Sequence, residues 1–136
     1  MSERYRTSAL IDSTSPVAQV PGGLAVVTGN PLKGETAPDQ TNPEQLLALA
    51  WSTCLNATAQ AIVGAEARTR VRVEVALADA IERTGFEFHV TAFVSGEGLS
   101  VAQAQELAES AHARCPISRL LAGARTVAVR GEAFAA

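Results

Sequence analysis

The chain has 136 residues, enough for one domain of ordinary size, and 47% of them are apolar, so it can bury a core. A formal net charge of −3 and an aromatic content of 4% disfavour a nucleic-acid-binding surface. No apolar run approaches the roughly 18 residues of a membrane span, and no apolar signal core follows the N-terminal charges. We therefore expect a cytoplasmic protein that contacts neither membrane nor nucleic acid.

The first forty residues predict two short strands and two loops. A weak alternation of apolar and polar residues over 3–12 favours a strand. Residues 13–23 contain two prolines and paired glycines, which are typical of a loop. Residues 24–28 form a second short apolar run, and a longer loop over 29–41 follows it. Loops of about a dozen residues inside a compact domain are often functional.

The best-marked helix is predicted to begin at Pro43 and to end at Gly64. Asn42 can cap it, Pro43 suits the first helical position, and Gln45 completes a variant of the capping box. The helix is apolar nearly all round, which is typical of a helix that is buried on most sides. A domain this small can bury such a helix only with sheets packed on it or with a second chain.

Two long strands are predicted after this helix. Residues 68–81 alternate with period two, residues 86–94 do the same, and residues 82–85 between them favour a hairpin turn. Three arginines alternate with valines in the first of these strands, which is typical of one solvated and one buried face. The two strands should therefore pair and cover one side of the core.

The last third of the chain predicts a helix, a short helical turn and a final strand. Ser100 and Gln103 form another capping box, and the helix should end near Cys115 because Pro116 disfavours helical backbone in the residue before it. A further turn over 117–122 and a strand over 126–134 follow. Without a βαβ repeat, this order predicts an α+β fold in a single domain over residues 1–136.

Two cysteines are the first candidates for chemistry. Cys54 lies in the middle of the first helix, and Cys115 lies where the second helix meets Pro116, a junction that can hold a thiol accessible. In a reducing compartment such a pair is more often catalytic, redox-active or metal-binding than a permanent disulfide. Each cysteine could also be a small packing residue. The two thiols, 61 positions apart, could form a redox pair.

Glu44 is a candidate whose role depends on a second chain. An acidic residue in the first turn of a helix can simply complement the helix dipole. Glu44 precedes Cys54 by ten residues, which is roughly 15 Å along a helix, so the two side chains cannot touch within one helix. If both serve one site, Glu44 must reach the cysteine of another subunit or act indirectly.

A metal site is not predicted. His112 and Cys115 have the spacing of half a zinc site. The chain has only two histidines and two cysteines, and it offers no second close pair. We therefore expect no bound metal.

Two segments resemble the signatures of the Ohr/OsmC family of thiol-dependent organic hydroperoxide reductases. Thr41–Leu55, TNPEQLLALAWSTCL, is similar to the family pattern TNPEQLxAxxxxxC, and Ala111–Ser118, AHARCPIS, is similar to AHxxCPxS. The segments stand in the family's order and spacing. The resemblance covers about residues 40–130 and, more weakly, the first 30.

The resemblance implies a fold, an assembly and a set of roles. The family fold is an intertwined homodimer in which antiparallel sheets wrap two central helices and the active sites lie at the subunit interface. By position in the motifs, Cys54 corresponds to the peroxidatic cysteine and Cys115 to the resolving cysteine. Glu44 corresponds to a glutamate that pairs with an arginine beside the reactive thiol. The implied partners are an organic hydroperoxide and an external dithiol, dihydrolipoamide or a lipoylated protein, with no bound cofactor.

One departure from the family pattern concerns that arginine. In the hydroperoxide-resistance branch it comes from a GGRxGRA-type segment, whereas Pro21–Ala25 here reads PGGLA. Lys33 is the only basic residue between residues 7 and 44. Arg119, four residues after Cys115, and Lys33 are the available replacement cations. Without a cation, the thiol would keep a pKa near its free value of about 8.5.

The leading hypothesis is a peroxidase that cycles through a Cys54 sulfenic acid and a Cys54–Cys115 disulfide. The alternative is a non-catalytic protein of the same fold that binds an apolar small molecule, or senses redox state, at the dimer interface. A structural dimer with two inert packing cysteines is a third reading.

Overall fold

The computed structural model describes residues 2–135, which divide into two compact units. The N-terminal unit comprises the residues up to Leu46, and the C-terminal unit comprises the residues from Leu47 onward.

The N-terminal unit is built on a short hairpin. Strands β1 (Val17–Gln19) and β2 (Ala25–Val27) pair antiparallel, and a single 3-10 turn follows at Pro31–Lys33. The predicted strand over 3–12 is wrong, because that stretch makes only one isolated bridge, from Leu10 to Gln19. Residues 2–15 are exposed, so their weak alternation has no face to bury. The first strand lies instead within the stretch predicted as a loop.

Helix α1 (Pro43–Val63) begins where the sequence predicts. The Asn42 side-chain oxygen accepts a hydrogen bond of 2.8 Å from the backbone N–H of Gln45. A 3-10 turn over Gly64–Glu66 extends the helix. The residues of α1 buried within the chain follow one another at four-residue spacing, and they are Trp51, Leu55 and Ala59.

The helical stretch Pro43–Glu66 has 24 residues and contains an 18-residue window with a mean hydropathy of 1.4, so it is long and apolar enough to cross a membrane by length and composition only. The expectation that no apolar run approaches a membrane span is therefore wrong. Serine, threonine and asparagine residues interrupt the run, but the window average stays high because leucine, alanine, isoleucine and valine dominate it. The core helix of a soluble protein passes the same test, so this finding is weak evidence for a membrane span.

A mixed three-stranded sheet forms one layer of the C-terminal unit. Strands β3 (Thr69–Asp79) and β4 (Phe86–Gly96) form the predicted antiparallel hairpin. Strand β5 (Val127–Gly131) runs parallel to β4, so the sheet is not antiparallel throughout as the resemblance implied. The direction follows from the connection between the two strands. Two helices lie between β4 and β5, and a helical crossover of this kind returns the chain to the end of the sheet where β4 began, so that β5 runs parallel to β4. One βαβ unit is thus present, although it is not repeated.

The crossover helices α2 (Val101–Arg114) and α3 (Pro116–Leu121) complete the core. The predicted capping box opens α2, with Ser100 Oγ accepting from the Gln103 backbone N–H at 3.1 Å. The apolar face of α2 contributes to one cluster with the inner face of β4 and the buried face of α1. The fully or nearly fully buried members from α2 and β4 are Leu107, Ala108, Ala111, Val90, Ala92 and Val94.

Helix α2 and strand β5 approach each other closely at Gly131. A Cβ atom on Gly131 would overlap the backbone of Ala104 and Gln105. The Gly131 N–H donates to the side-chain oxygen of Gln105 at 2.8 Å. Glycine is therefore required here by the contact between the two backbones.

A carboxylate buried on β4 anchors the start of β5. The side chain of Glu87 is only 5% exposed, and it accepts a hydrogen bond of 2.7 Å from Arg125. His89 lies 3.0 Å from the same carboxylate, and Arg83 lies 3.6 Å away. The Arg125 hydrogen bond, with a smaller contribution from His89, lowers the pKa of Glu87 to about 2.

Candidate functional site

The two cysteines predicted as a redox pair lie in contact. Both are free, and their sulfur atoms are 3.3 Å apart. A disulfide bond has a length of about 2.05 Å, so closing one here requires the sulfurs to approach by roughly 1.2 Å. Cys54 comes from the middle of α1, and Cys115 comes from the junction of α2 and α3. The C-terminal unit thus joins two thiols that are 61 positions apart in sequence.

Pro116 fixes the backbone that holds Cys115. Cys115 has extended backbone angles of φ −65° and ψ 128°, as expected for a residue before proline. It ends α2, with its N–H donating to the Ala111 carbonyl at 2.8 Å, and it also caps α3. As that cap, its sulfur accepts the backbone N–H of Ser118 at 3.5 Å. One residue therefore terminates one helix and starts the next.

The two thiols differ in their exposure to solvent. The sequence predicts that the helix junction can hold Cys115 accessible, and this is wrong because Cys115 is completely buried. Cys54 is half-buried in the single chain. The helix junction turns inward, and its neighbours Ala111 and Ser118 are also completely buried. Reactants from solvent can therefore reach Cys54 more readily than Cys115.

A hydrogen bond from Trp51 to Ser118 lies beside the thiols. The indole Nε1 of Trp51 donates to Ser118 Oγ at 2.9 Å, and both side chains are completely buried. Sequence reasoning missed this pair, because its members are 67 positions apart. The sequence does contain one local signal for Ser118. It is the third residue after Cys115, and a side chain that caps a helix commonly accepts a hydrogen bond from the backbone N–H of the third residue after it.

The surroundings shift the acidity of the two thiols in opposite directions. Burial raises the pKa of Cys54, and the neighbouring Cys115 thiol raises it further, against a lowering by the Ile117 backbone N–H. Burial also acts to raise the pKa of Cys115, but the hydrogen bonds from the Ser118 backbone, the Cys54 thiol and the Ser118 hydroxyl together lower it.

The other predicted site residues lie in different parts of the chain. Arg119 is exposed, and its Nε donates to the Ala113 carbonyl at 3.1 Å at the end of α2. Glu44 is half-buried in the first turn of α1, and Lys33 is exposed at the end of the 3-10 turn. Glu44 and Lys33 both belong to the N-terminal unit. Their roles beside a thiol stay predictions.

His112 lies next to the indole of Trp51. The two ring centroids are 6.3 Å apart, and His112 Nδ1 is buried with no hydrogen-bond partner among residues 2–135. Over the same residues, no three histidine, cysteine, aspartate or glutamate side chains come close enough together to hold a metal ion.

Comparisons with known proteins point to one family. The family model described as OsmC-like protein matches residues 35–130. Organic hydroperoxide resistance protein OhrA of Bacillus subtilis is 34% identical over 86 residues, 61% of this chain and 61% of that protein. The chain thus spans about three fifths of the length of that curated relative.

Two further similarities extend over nearly the whole chain. An organic hydroperoxide resistance protein-like protein of Mycoplasma pneumoniae is 32% identical over 129 residues, 89% of each chain. A solved structure from Lactobacillus casei superimposes with a TM-score of 0.84 at 34% identity, and the match covers 98% of this chain and 94% of that one.

Proposed function

Because the chain belongs to the OsmC-like protein family, we propose that it is a thiol-dependent peroxidase that reduces organic hydroperoxides through Cys54 and Cys115. The observation that carries the proposal is the 3.3 Å contact between two free sulfurs, one of them reachable from solvent. The names of the Bacillus subtilis and Mycoplasma pneumoniae relatives support organic hydroperoxides as the substrate class.

The proposed cycle has two steps on the protein. The Cys54 thiolate attacks the distal oxygen of the hydroperoxide, the O–O bond breaks, and the alkoxide takes up a proton and leaves as the alcohol. Cys54 is then a sulfenic acid. The Cys115 thiolate attacks the Cys54 sulfur, the S–S bond forms, and hydroxide leaves and is protonated to water. Two electrons have passed from the thiols to the peroxide.

An external dithiol returns the pair to its reduced form in this proposal. Dihydrolipoamide or a lipoylated protein is the expected reductant, and the protein itself holds no cofactor. The reaction suits a cytoplasmic protein, because the compartment supplies the reducing thiols.

We assign the assembly to a homodimer. Leu49 on α1 is 62% exposed, and much of this strongly apolar helix is uncovered in the single chain. A second copy would cover that face and bring its own Glu44 towards the thiol pair. Replacing Leu49 with lysine should therefore shift a dimer towards monomer in sedimentation velocity. Leu120→Lys, at a leucine on α3 that is 83% exposed, is the control and should remain dimeric. A folded wild-type monomer at micromolar concentration would contradict this assignment.

The replacement cation is proposed to be Arg119, with Lys33 as the second candidate. A cation within about 4–6 Å lowers a thiol pKa by roughly 1–3 units, which would counter the burial of Cys54. The measurement is the pH dependence of Cys54 alkylation in the wild type, in Arg119→Ala and in Lys33→Ala. A raised apparent pKa in one variant identifies the cation. A wild-type value of about 8.5 or above that neither variant moves means that no cation activates the thiol.

A non-catalytic redox sensor or apolar-ligand carrier is the alternative. It is favoured by the surroundings of Cys54: burial and the neighbouring Cys115 thiol raise the pKa of Cys54, which leaves little thiolate at neutral pH. A sensor would still form the disulfide, but slowly and without sustained turnover.

The test is peroxide consumption with a dithiol reductant, together with mass spectrometry of the thiols. Excess cumene hydroperoxide should convert the two free thiols of each chain to one internal disulfide. Cys54→Ser should abolish peroxide consumption, and Cys115→Ser should allow one turnover and accumulate a sulfenic acid. Two free thiols after peroxide treatment would overturn the enzymatic proposal, and a single slow oxidation without turnover would favour the sensor.

A further inference from the structure

Two contacts lie side by side where α1 meets the first turn of α3. Trp51 precedes Cys54 by three residues on α1, and residues three apart in a helix share one face. Ser118 follows Cys115 by three residues, and its backbone N–H donates to the Cys115 sulfur at 3.5 Å. The Trp51 indole N–H donates to Ser118 Oγ at 2.9 Å, and the two sulfurs are 3.3 Å apart. A hydrogen bond therefore stands next to the contact between the thiols.

The Trp51–Ser118 hydrogen bond fixes the position of α3 on α1. Over residues 2–135, it is the one hydrogen bond between a side chain of α1 and a side chain of α2 or α3, apart from the contact between the sulfurs. Both of its side chains are completely buried, so water does not replace either partner when the bond breaks. A hydrogen bond also restricts the distance and the angle between its atoms.

The position of α3 decides how readily the two sulfurs join. Cys115 caps α3, so its sulfur moves when the first turn of α3 moves. Groups that a fold holds near each other react as if at a high effective concentration, and that concentration falls when the geometry is loosened. Movement of α3 away from α1 would separate the sulfurs and disfavour the disulfide.

We propose that Trp51 and Ser118 are positioning residues, whose hydrogen bond holds Cys115 against Cys54 and thereby sets the redox equilibrium of the pair. That equilibrium is defined by exchange with glutathione. The two thiols pass two electrons to glutathione disulfide, the Cys54–Cys115 bond forms, the glutathione S–S bond breaks, and two glutathione thiols take up the two protons. The inference rests on the proposed function only in requiring that the two cysteines can form a disulfide.

The first test is the equilibrium constant of this exchange in the full-length protein. Samples are equilibrated in glutathione buffers of graded ratio, quenched with acid and alkylated, and the oxidised fraction is measured by mass spectrometry. Trp51→Phe removes the donor and Ser118→Ala removes the acceptor, so each should lower the constant by about three- to tenfold, as expected for one hydrogen bond. Because both substitutions remove the same bond, the double variant should lose no more than the weaker of the two single variants.

The matched control is Ser95→Ala. It removes another buried hydroxyl, which lies on β4 at 3.5 Å from the Arg70 carbonyl oxygen, and it should leave the equilibrium constant unchanged. Single variants that match the wild type, or losses that add up in the double variant, would overturn the proposal. Because no peroxide is used, a failure of hydroperoxide to oxidise the pair counts against the peroxidase alone.

Urea denaturation separates positioning from a general loosening of the core. A substitution that only loosens the core lowers the free energy of unfolding of the oxidised and the reduced protein equally. Loss of positioning disfavours the disulfide in the folded chain alone, so Trp51→Phe and Ser118→Ala should destabilise the oxidised protein more than the reduced protein. Equal losses in the two redox states would overturn the assignment.

The wild-type protein offers a test that needs no variant. The chain has one tryptophan, so its NMR spectrum contains one indole N–H signal. Coupling is reciprocal: if the hydrogen bond favours the disulfide, the disulfide favours the hydrogen bond by the same factor. The Trp51 indole N–H should therefore exchange with deuterium about three- to tenfold more slowly in the oxidised than in the reduced protein. Equal exchange rates would contradict the coupling and overturn the proposal.

Discussion

The two compact units differ in what holds them together. Among residues 2–135, every fully buried apolar side chain belongs to the C-terminal unit, and Asn42 is the single buried residue of the N-terminal unit. The N-terminal unit is held together by a hairpin whose two strands have three residues each, by turns and by backbone hydrogen bonds. Elements without a buried face contribute little hydrophobic stabilisation. The two thiols lie in the unit that has the apolar core, and that core holds them in place.

The largest expected difference between the units is in the response to truncated leucines. Leu55 is completely buried in the C-terminal unit, so Leu55→Ala should lower the free energy of unfolding by about 2–5 kcal/mol. Leu32 in the N-terminal unit is 56% exposed, and Leu32→Ala should change it by less than about 0.5 kcal/mol. Urea denaturation followed by circular dichroism measures both. Similar losses would show that the N-terminal unit shares the core.

Alanine substitutions of glycines sharpen the same contrast. Gly131→Ala places a methyl group against the backbone of α2 and should cost about 1–3 kcal/mol of stability through overpacking. Gly29→Ala in the N-terminal unit brings a methyl group to 3.3 Å from the side-chain oxygen of Gln40, which can rotate away. That variant should be close to neutral. The midpoint temperature of thermal unfolding measures both effects. A larger decrease in that temperature for Gly29→Ala than for Gly131→Ala would contradict the proposed difference between the two units.

The smallest expected effect is a change in the pH dependence of stability. The pKa of Glu87 is lowered to about 2 by its hydrogen bond with Arg125, so this carboxylate contributes stability above the unfolded pKa near 4.5. The contribution is lost as the pH falls from about 4.5 towards 2. Glu87→Gln should be less stable than the wild type at pH 7, and the difference should shrink at pH 3.

The control for this pH effect comes from the N-terminal unit. Glu3 pairs with Arg6 at 2.6 Å, but both side chains are largely exposed, and surface pairs of this kind contribute little. Glu3→Gln should therefore follow the wild-type pH profile in urea denaturation. If Glu87→Gln and Glu3→Gln show the same profile between pH 7 and pH 3, the buried carboxylate has no special role.

How far the sequence predicts this fold depends on whether a feature is local. The cap at Asn42 and the capping box at Ser100 are correctly predicted because both partners lie three residues apart. The capping box predicted at Asn42 is wrong in its second half, because the Gln45 side-chain oxygen accepts from the Thr41 hydroxyl at 3.0 Å instead. The strands β3 and β4 are correctly predicted because each is long enough for its period-two pattern to rise above chance. Strand β1 has three residues in an exposed hairpin, so it leaves no such pattern.

The features that sequence reasoning missed arise from packing between distant segments. The parallel direction of β5 depends on the path of two helices, which no strand pattern records. The burial of Cys115 depends on the elements packed on its junction, and the bond between Trp51 and Ser118 spans 67 positions. Two motif segments were enough to pair the thiols, but the groups that distinguish one thiol from the other required the tertiary structure.

The bond between Trp51 and Ser118 also has an optical consequence. The chain contains one tryptophan, its indole is completely buried, and its hydrogen-bond partner contacts the Cys115 sulfur. Indole emission responds to hydrogen bonding at Nε1 and is quenched by nearby sulfur in a manner that differs between thiolate and disulfide. The intrinsic fluorescence of Trp51 can therefore report oxidation and reduction of the thiol pair in real time, without a label.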